Sequence, residues 1–178
     1  MKGVDTLVYW TRFNFDGWSV ILAATEKGLC YVGLAENSLE QLKDWAKRFD
    51  NEGVKEDEAK LEVYSNQLKG YFSGRTNDLL ALSLDLKGTP FQLQVWEMLH
   101  RIPYGEVVTY SEIAEQIGKA SAVRAVASAI GKNPVLIVVP CHRVIAKSGG
   151  LSGYRDGKEH KRNLLQLEKS RLISDRTE

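Results

Sequence analysis

The 178-residue chain has only two cysteines and three histidines. Cys30 and Cys141 lie far apart and do not make a disulfide framework, which favours a reducing, cytoplasmic setting. Without a C-x-x-C pair or clustered histidines there is no zinc-ligand spacing, so we predict no metal and no other cofactor. No apolar run approaches the roughly 18 residues of a membrane helix, and Met1–Asp5 lacks the apolar core of a signal peptide. We therefore predict no membrane partner.

A large excess of one charge is also missing, because the net charge is only +1. The charges are unevenly distributed, however. Residues 1–88 carry 11 basic and 14 acidic side chains, whereas residues 89–178 carry 13 and nine. Within residues 119–162, nine basic side chains outnumber two acidic ones. A basic face of this size suits a polyanionic partner such as nucleic acid, and it suits an ordinary solvated surface equally well.

The N-terminal half, residues 1–87, has the pattern of an α+β structural domain without a catalytic cluster. Hydrophobic periodicity predicts antiparallel strands Leu7–Phe15, Trp18–Thr25 and Leu29–Leu34, and helices Ser38–Phe49, with Ser38 as N-cap, and Glu58–Phe72. Asp50–Asp57 is predicted as a loop and Leu80–Leu86 as an edge strand. Cys30 in the third strand indicates a small buried hydrophobe rather than a reactive thiol. The domain boundary is placed at Lys87-Gly88.

The second half, residues 88–178, is predicted to be mostly helical. Thr89 and Gln92 form one capping box, and Thr109 and Glu112 form another that opens a helix to Gln116. After a glycine turn, Ser121 is predicted to cap a helix over Ala122–Ile130, which gives a helix-turn-helix. The second of these helices is made of small residues and carries one charge, Arg124. Such a helix suits close backbone approach and side-chain insertion rather than base reading in the major groove.

The most distinctive stretch is Val135–Ile145, where five apolar residues lead into Pro140-Cys141-His142-Arg143. The apolar run predicts a buried strand that ends at Pro140, which cannot donate a ladder hydrogen bond. Neighbouring residues on a strand face opposite sides, so a direct contact between Cys141 and His142 is not assured. From these residues alone, a reactive thiol and an inert buried thiol are both open. A glycine-rich loop over residues 146–157 and a helix over Lys158–Lys169 follow, with a frayed tail from Arg171.

The motifs of residues 88–170 resemble those of the O6-alkylguanine-DNA alkyltransferases. The matching motifs, in order, are Gly88-Thr-Pro-Phe-Gln, Ile102-Pro-Tyr-Gly-Glu-Val, Thr109-Tyr110, Val123-Arg124-Ala-Val, Asn133-Pro134, Pro140-Cys-His-Arg-Val-Ile145, Gly153-Tyr154 and Leu164-Leu-Gln-Leu-Glu168. The resemblance implies a ribonuclease-H-like N-terminal domain and a mostly helical C-terminal domain with a helix-turn-helix. It also implies single-turnover transfer of an alkyl group from O6-alkylguanine, and from O4-alkylthymine, in double-stranded DNA to a monomeric protein.

The resemblance further implies roles for individual residues. Cys141 would be the acceptor thiol, and His142 would withdraw its proton through a water. Glu168 would orient His142 and balance its charge, a cysteine version of the nucleophile, base and orienter arrangement. Asn133 would brace the site, and Tyr110 would donate to the guanine as its leaving oxygen gains charge.

On the DNA side, the resemblance implies that Arg124 replaces the extruded base, with Ser121 and Ala125 facing DNA from the same segment. Main-chain groups of Cys141, Val144 and Arg155 would read the guanine edge, and Tyr154 would line the pocket. Each role has a plainer alternative: Tyr110 as a packed aromatic residue, Arg124 as a phosphate clamp, and Glu168 as a surface charge on a helix.

Arg155 and Asp156 depart from the small residues that are common in this family, which leaves the preferred alkyl size open. Two other functions remain possible. One is a non-catalytic binder of alkylated DNA of the alkyltransferase-like type, although such proteins lack the acceptor cysteine. The other is a thiol hydrolase unrelated to DNA.

Overall fold

The computed structural model describes residues 6–49, 53–75 and 79–175. The chain forms two compact units, residues 1–87 and residues 88–178. Within the described ranges, no helix combines the length and the hydrophobicity that crossing a bilayer requires.

The first unit is built on a four-stranded sheet with the order β3-β2-β1-β4. Its strands are β1 (Val8–Phe15), β2 (Trp18–Thr25), β3 (Gly28–Gly33) and β4 (Val54–Glu56). The first three are antiparallel neighbours, and β4 pairs with β1 in parallel. Asp16 and Gly17 join β1 to β2 with φ angles of 49° and 79°, as a two-residue turn with both central residues at positive φ requires.

Two helices, α1 (Ser38–Lys47) and α2 (Glu58–Phe72), bury the two faces of this sheet. Ile21 and Ala23 of β2 belong to the core cluster that includes Leu42 of α1. Trp18 begins the alternate set of β2 residues, and its ring stacks on Phe72 of α2 with centroids 4.9 Å apart. The two-residue period of the strand therefore sends successive side chains to different helices.

Three sequence predictions for the first unit are wrong. The predicted loop Asp50–Asp57 contains β4, whose pairing with β1 is a tertiary interaction that its short charged sequence does not reveal; residues 50–52 lie outside the described part of the chain. The predicted edge strand Leu80–Leu86 is a turn followed by a single bridge from Leu84 to Leu29. Third, the predicted N-cap Ser38 is the first residue of α1, whose N-cap position is Asn37; the helix ends at Lys47, two residues before the predicted end at Phe49.

The second unit is mostly helical, so the whole protein is of the α+β class. Its elements are α3 (Pro90–His100), β5 (Val108–Thr109), α4 (Tyr110–Gln116), a 3₁₀ turn (Ala120–Ala122), α5 (Val123–Gly131), a 3₁₀ turn (Cys141–Arg143), β6 (Val144–Ile145) and α6 (Lys158–Asp175). Both predicted capping boxes are confirmed, at Thr89 with Gln92 and at Thr109 with Glu112.

Helix α5 packs its apolar side against α3 and α4. It buries Val126, Ala129 and Ile130, and the Trp96 indole N–H donates to the Ala129 carbonyl at 2.8 Å. The predicted Ser121 cap is wrong. Ser121 lies in the preceding 3₁₀ turn, and the N-cap of α5 is Ala122, which makes no side-chain capping bond.

Helix α6 is longer than predicted, because it passes Lys169 and continues to Asp175. Leu172 packs so closely on Gly105 that a Cβ at that glycine would clash with it. This tertiary contact holds the last turns, which sequence periodicity alone predicts to be frayed.

The predicted strand at Val135–Val139 is also wrong. The segment is fully buried, as its composition predicts, but it coils through tight turns. Ile137 has a φ of 71°, and the Val138 N–H donates to the Leu136 carbonyl at 2.8 Å. This combination is the rare and strained form of the γ-turn.

Pro140, with φ −82° and ψ 63°, is the centre of an inverse γ-turn closed by the Cys141 N–H and the Val139 carbonyl. Pro140 is therefore the central residue of a turn and not the residue that ends a β-strand.

Candidate active site

The Cys141–Arg143 turn places three consecutive functional side chains in the interior of the second unit. The turn continues directly into β6, whose Val144 and Ile145 pair in parallel with Val108 and Thr109 of β5. Because Thr109 is the N-cap of α4, this pairing fixes the start of α4, and therefore Tyr110, beside the segment that leaves the turn.

The thiol of Cys141 is almost completely buried, at 3% exposure for the residue. Burial raises the pKa of Cys141, and this effect is partly opposed by a hydrogen bond from the Asn133 side chain and by the charges of Lys161 and Arg155. The resting thiol is therefore protonated at neutral pH, and a nucleophilic thiolate requires a base.

Glu168 lies at the centre of a buried charged network. Its carboxylate accepts from His142 Nε2 at 2.7 Å and from Arg143 in a fork, with Nε and the Nη2 nitrogen 2.8–3.2 Å from its oxygens. It also accepts from the Gly105 N–H at 3.0 Å. Only 1% of Glu168 is exposed, so the alternative of a surface charge is wrong.

The protonation states of this network follow from its geometry. Burial alone would raise the pKa of Glu168, but hydrogen bonds and charges from His142 and Arg143 hold that pKa well below its ordinary value. Burial lowers the pKa of His142, although Glu168 acts in the opposite direction. A neutral imidazole beside an ionised carboxylate donates Nε2–H to Glu168. His142 Nδ1 is then an acceptor, and it is buried without a hydrogen-bond partner among the described residues.

Asn133 connects the end of α5 to the thiol. Its side-chain N–H donates to the Val139 carbonyl at 2.7 Å, and its side-chain oxygen accepts from the Val135 N–H at 2.9 Å. These bonds close the coiled segment before Pro140, and the Val139 carbonyl that accepts from Asn133 also accepts from the Cys141 N–H at 2.8 Å. Asn133 and the Cys141 backbone are therefore bonded to the same carbonyl.

The loop at residues 152–157 forms another wall of the site. The Ser152 carbonyl accepts from the Tyr110 hydroxyl at 3.0 Å and from Lys161 Nζ at 3.1 Å. Tyr154 is buried, and this burial, more than the proximity of Cys141, raises the pKa of its hydroxyl. The Val144 carbonyl is already engaged by Lys161 Nζ, at 2.5 Å.

Three of the four residues predicted to contact DNA lie away from the buried network, on the surface; the fourth, Tyr110, is partly buried and bonded to the Ser152 carbonyl. Ser121, Arg124 and Ala125 are exposed on the side of the 3₁₀ turn and α5 opposite to the buried Val126 and Ala129. The structure thus brings together Cys141, His142, Glu168, Asn133, Val144, Tyr154 and Tyr110 through shared contacts, and it leaves the three DNA-binding candidates on an open helical face.

Two members of the network have no role assigned by the sequence analysis. The first is Arg143, whose guanidinium holds Glu168 and also donates to the Ile102 carbonyl at 2.6 Å. The second is Lys161, one of the nine basic residues within residues 119–162, which is only 1% exposed. The spacing of Lys161, Leu164 and Glu168 places all three on one side of a helix, and that spacing is the signal that predicts an inward-facing lysine.

Two family models match the chain. The DNA-binding domain of 6-O-methylguanine DNA methyltransferase matches residues 90–170, and its ribonuclease-like domain matches residues 8–86. The inducible methylated-DNA–protein-cysteine methyltransferase of Bacillus subtilis is 48% identical over 163 residues, which cover 91% of this chain and 90% of that protein. The chain belongs to the 6-O-methylguanine DNA methyltransferase family.

Solved structures of family members agree with this assignment. The Mycobacterium tuberculosis O6-methylguanine methyltransferase is 40% identical with a TM-score of 0.80, over 92% of this chain and 94% of that one. A structure of the M. tuberculosis protein in complex with DNA is 38% identical with a TM-score of 0.77, over 93% and 94% of the two chains.

Proposed function

We propose that this protein repairs DNA directly, by moving the alkyl group of O6-alkylguanine, and of O4-alkylthymine, irreversibly onto Cys141. The observation that carries this proposal is a buried thiol, Cys141, next in sequence to a buried histidine, His142, whose Nε2 is held by Glu168 at 2.7 Å. Together with membership of the 6-O-methylguanine DNA methyltransferase family, this geometry supports a cysteine methyltransferase with a single turnover.

The proposed reaction is a displacement at the alkyl carbon. The Cys141 thiol loses its proton to His142 Nδ1 through a water, and Glu168 stabilises the imidazolium that forms. The sulfur then attacks the methyl carbon, so that an S–C bond forms while the bond from that carbon to guanine O6 breaks. The electron pair of the broken bond stays on the base, and the proton taken from the thiol ends on the restored guanine. Tyr110 stabilises the charge that develops on the base during this step.

The exposed side of α5 is proposed as the DNA-binding surface. Helices α4 and α5, joined by the glycine turn and the 3₁₀ turn, would act as a helix-turn-helix with α5 in the minor groove. Arg124 would fill the space of the extruded nucleotide, with Ser121 and Ala125 close to the backbone. Val144, Tyr154 and the Arg155 main chain would then hold the flipped base.

The remaining proposals concern the domains and the partner. The name of the matching model and the parallel pairing of β1 with β4 support a ribonuclease-H-like structural domain over residues 1–87. Residues 88–178 would be the DNA-binding and acceptor domain. Its partner is double-stranded DNA containing the alkylated base, which the protein would meet as a monomer.

Intact-mass measurement tests the reaction. After incubation with duplex DNA carrying O6-methylguanine, the protein is expected to gain the mass of one methyl in place of one proton, located by peptide mapping at Cys141. Each molecule should react once. Repeated turnover would indicate a thiol hydrolase, and tight binding without any mass change would indicate a non-catalytic binder of alkylated DNA.

Arg124→Ala is expected to slow transfer from duplex DNA by about 10- to 100-fold, because extruding a base costs a few kcal/mol that the side chain would no longer offset. Transfer from the free base O6-benzylguanine should be unchanged. Single-turnover rates with both substrates measure this difference, with Lys132→Ala as the control that removes an exposed charge next to the same helix. If Arg124 is instead a phosphate clamp, the variant will bind unmodified DNA more weakly and with a smaller salt dependence.

A further inference from the structure

The side chain of Arg155 joins the end of α5 to the loop that carries Tyr154. Its Nη1 nitrogen donates to the carbonyls of Asn133 and Pro134 at 3.0 and 3.2 Å. On the other edge, Nε and Nη2 face the Asp156 carboxylate at 3.0 and 3.5 Å. One guanidinium thus spans two segments that are more than 20 residues apart in sequence.

The backbone of the loop explains how adjacent residues form this pair. The Gly157 N–H donates to the Tyr154 carbonyl at 3.1 Å, so Arg155 and Asp156 occupy the two central positions of a β-turn. Gly153 and Gly157 flank these residues with φ angles of 64° and 103°, which glycine adopts without strain. The turn brings the two side chains to the same side of the loop.

The ion pair between Arg155 and Asp156 is largely buried. The Asp156 side chain is completely buried, and that of Arg155 is 19% exposed. Removing the cation from a buried carboxylate is unfavourable, so loss of the guanidinium is expected to destabilise this position of the loop. On its other edge the Arg155 guanidinium is held by the Asn133 and Pro134 carbonyls.

Both segments that Arg155 connects are bonded to the acceptor site. Asn133, two positions after the last residue of α5, donates to the Val139 carbonyl, which also accepts from the Cys141 N–H at 2.8 Å. The loop that carries Tyr154 is held by Lys161 Nζ, which donates to the Ser152 carbonyl and to the carbonyl of Val144, three residues after Cys141. A shift at the end of α5 would therefore reach the loop through Arg155.

We propose that Arg155 and Asp156 form a latch. In it Arg155 is a positioning residue, which holds the loop that carries Tyr154 in place against Asn133 and Pro134, just after α5. This inference rests on the proposed alkyl transfer. It gives the Arg155 side chain a function that differs from the base-reading role of its main chain. The latch would keep the pocket shaped for attack before DNA binds.

Single-turnover transfer at saturating methylated DNA tests the latch in the full-length protein. Because misplacing a reacting group by about 1 Å can cost up to 100-fold, Arg155→Ala and Asp156→Ala are each expected to slow transfer by about tenfold or more. The double variant Arg155→Ala/Asp156→Ala, which removes both charges of the pair, should be no slower than the slower single variant. Such non-additivity is the signature of two residues that act as one unit.

Two further measurements separate positioning from other roles. Amide hydrogen exchange of residues 151–157 should accelerate in Arg155→Ala, while the affinity for unmodified DNA stays unchanged. Arg155→Lys keeps the charge but not the fork, and it should remain slow. Lys158→Ala, which removes an exposed charge from the first position of α6, should behave as wild type in every measurement.

Four results would overturn the latch: wild-type transfer by Arg155→Ala, full rescue by Arg155→Lys, additive effects in the double variant, or lost DNA affinity with normal reaction of free O6-benzylguanine. The last result would identify Arg155 as a phosphate contact. If the wild-type protein transfers no alkyl group at all, the proposed function fails instead, and hydrogen exchange still reports whether Arg155 holds the loop.

Discussion

Replacing Cys141 with alanine is expected to abolish alkyl transfer completely. The sulfur is the atom that forms the new bond, and no other described side chain in the second unit is a thiol. Alanine leaves His142, Asn133 and Glu168 in place, because the hydrogen bonds between Glu168 and His142 and between Asn133 and the backbone do not involve the sulfur. Transfer of radiolabelled methyl from DNA measures the loss, and binding of the same DNA should persist.

Cys30→Ala provides a matched control for that experiment. Cys30 is also fully buried, but it belongs to the first unit, where its thiol donates to the Ala23 carbonyl at 3.4 Å. Burial, together with the charge of Asp85, raises the pKa of Cys30 far above its ordinary value, so this thiol stays protonated. We expect full transfer and a stability loss of about 1 kcal/mol. Methylation of the Cys141→Ala protein would show that another residue accepts the alkyl group.

Elements whose stability is local could be predicted from the sequence. The capping boxes at Thr89 and Thr109 satisfy backbone groups within one helical turn, and both lie where their motifs predict. Elements held by distant partners could not be predicted in this way. Strand β4 exists because it pairs with β1, and the last turns of α6 persist because Leu172 packs on Gly105.

For the apolar run before Pro140, the sequence predicts the burial but not the conformation. The burial follows from composition, because the removal of five consecutive apolar residues from water is favourable. The conformation depends on Asn133, whose side chain bonds both ends of the segment and so stabilises a series of tight turns. A β-branched residue at positive φ, as at Ile137, is tolerated only where the surrounding contacts fix it.

The residues of the site are predicted by the resemblance of their motifs to a known family, and not by the chemistry of the residues alone. Cys141 and His142 attract notice as a thiol beside an imidazole, but no pattern links them to Glu168, which follows 26 residues later. The pairing depends on α6 turning Glu168 inward, and on Arg143 supplying the charge that allows a carboxylate to be buried. Arg143 therefore has a structural function that its position next to His142 conceals.

Replacing Glu168 with alanine is expected to have the largest effect on stability, about 3–5 kcal/mol, because it leaves the buried Arg143 guanidinium without its carboxylate. It also removes the acceptor for His142 Nε2–H and for the Gly105 N–H. Transfer should fall by roughly 10²- to 10⁴-fold, as when the orienting carboxylate of a Ser-His-Asp triad is lost. Urea unfolding and single-turnover transfer, both at neutral pH, measure the two effects.

The pH dependence and a surface control make this prediction specific. The folded-state pKa of Glu168 is depressed, so its contribution to stability is present above the unfolded value of about 4.3 and is lost as the pH falls below it. Glu168→Gln should remove that part of the acid sensitivity. Glu97→Ala breaks a 2.6 Å pair with Arg101 whose side chains are more than 60% exposed, and it should cost at most about 1 kcal/mol. An equal cost for Glu97→Ala and Glu168→Ala would contradict a buried network at the site.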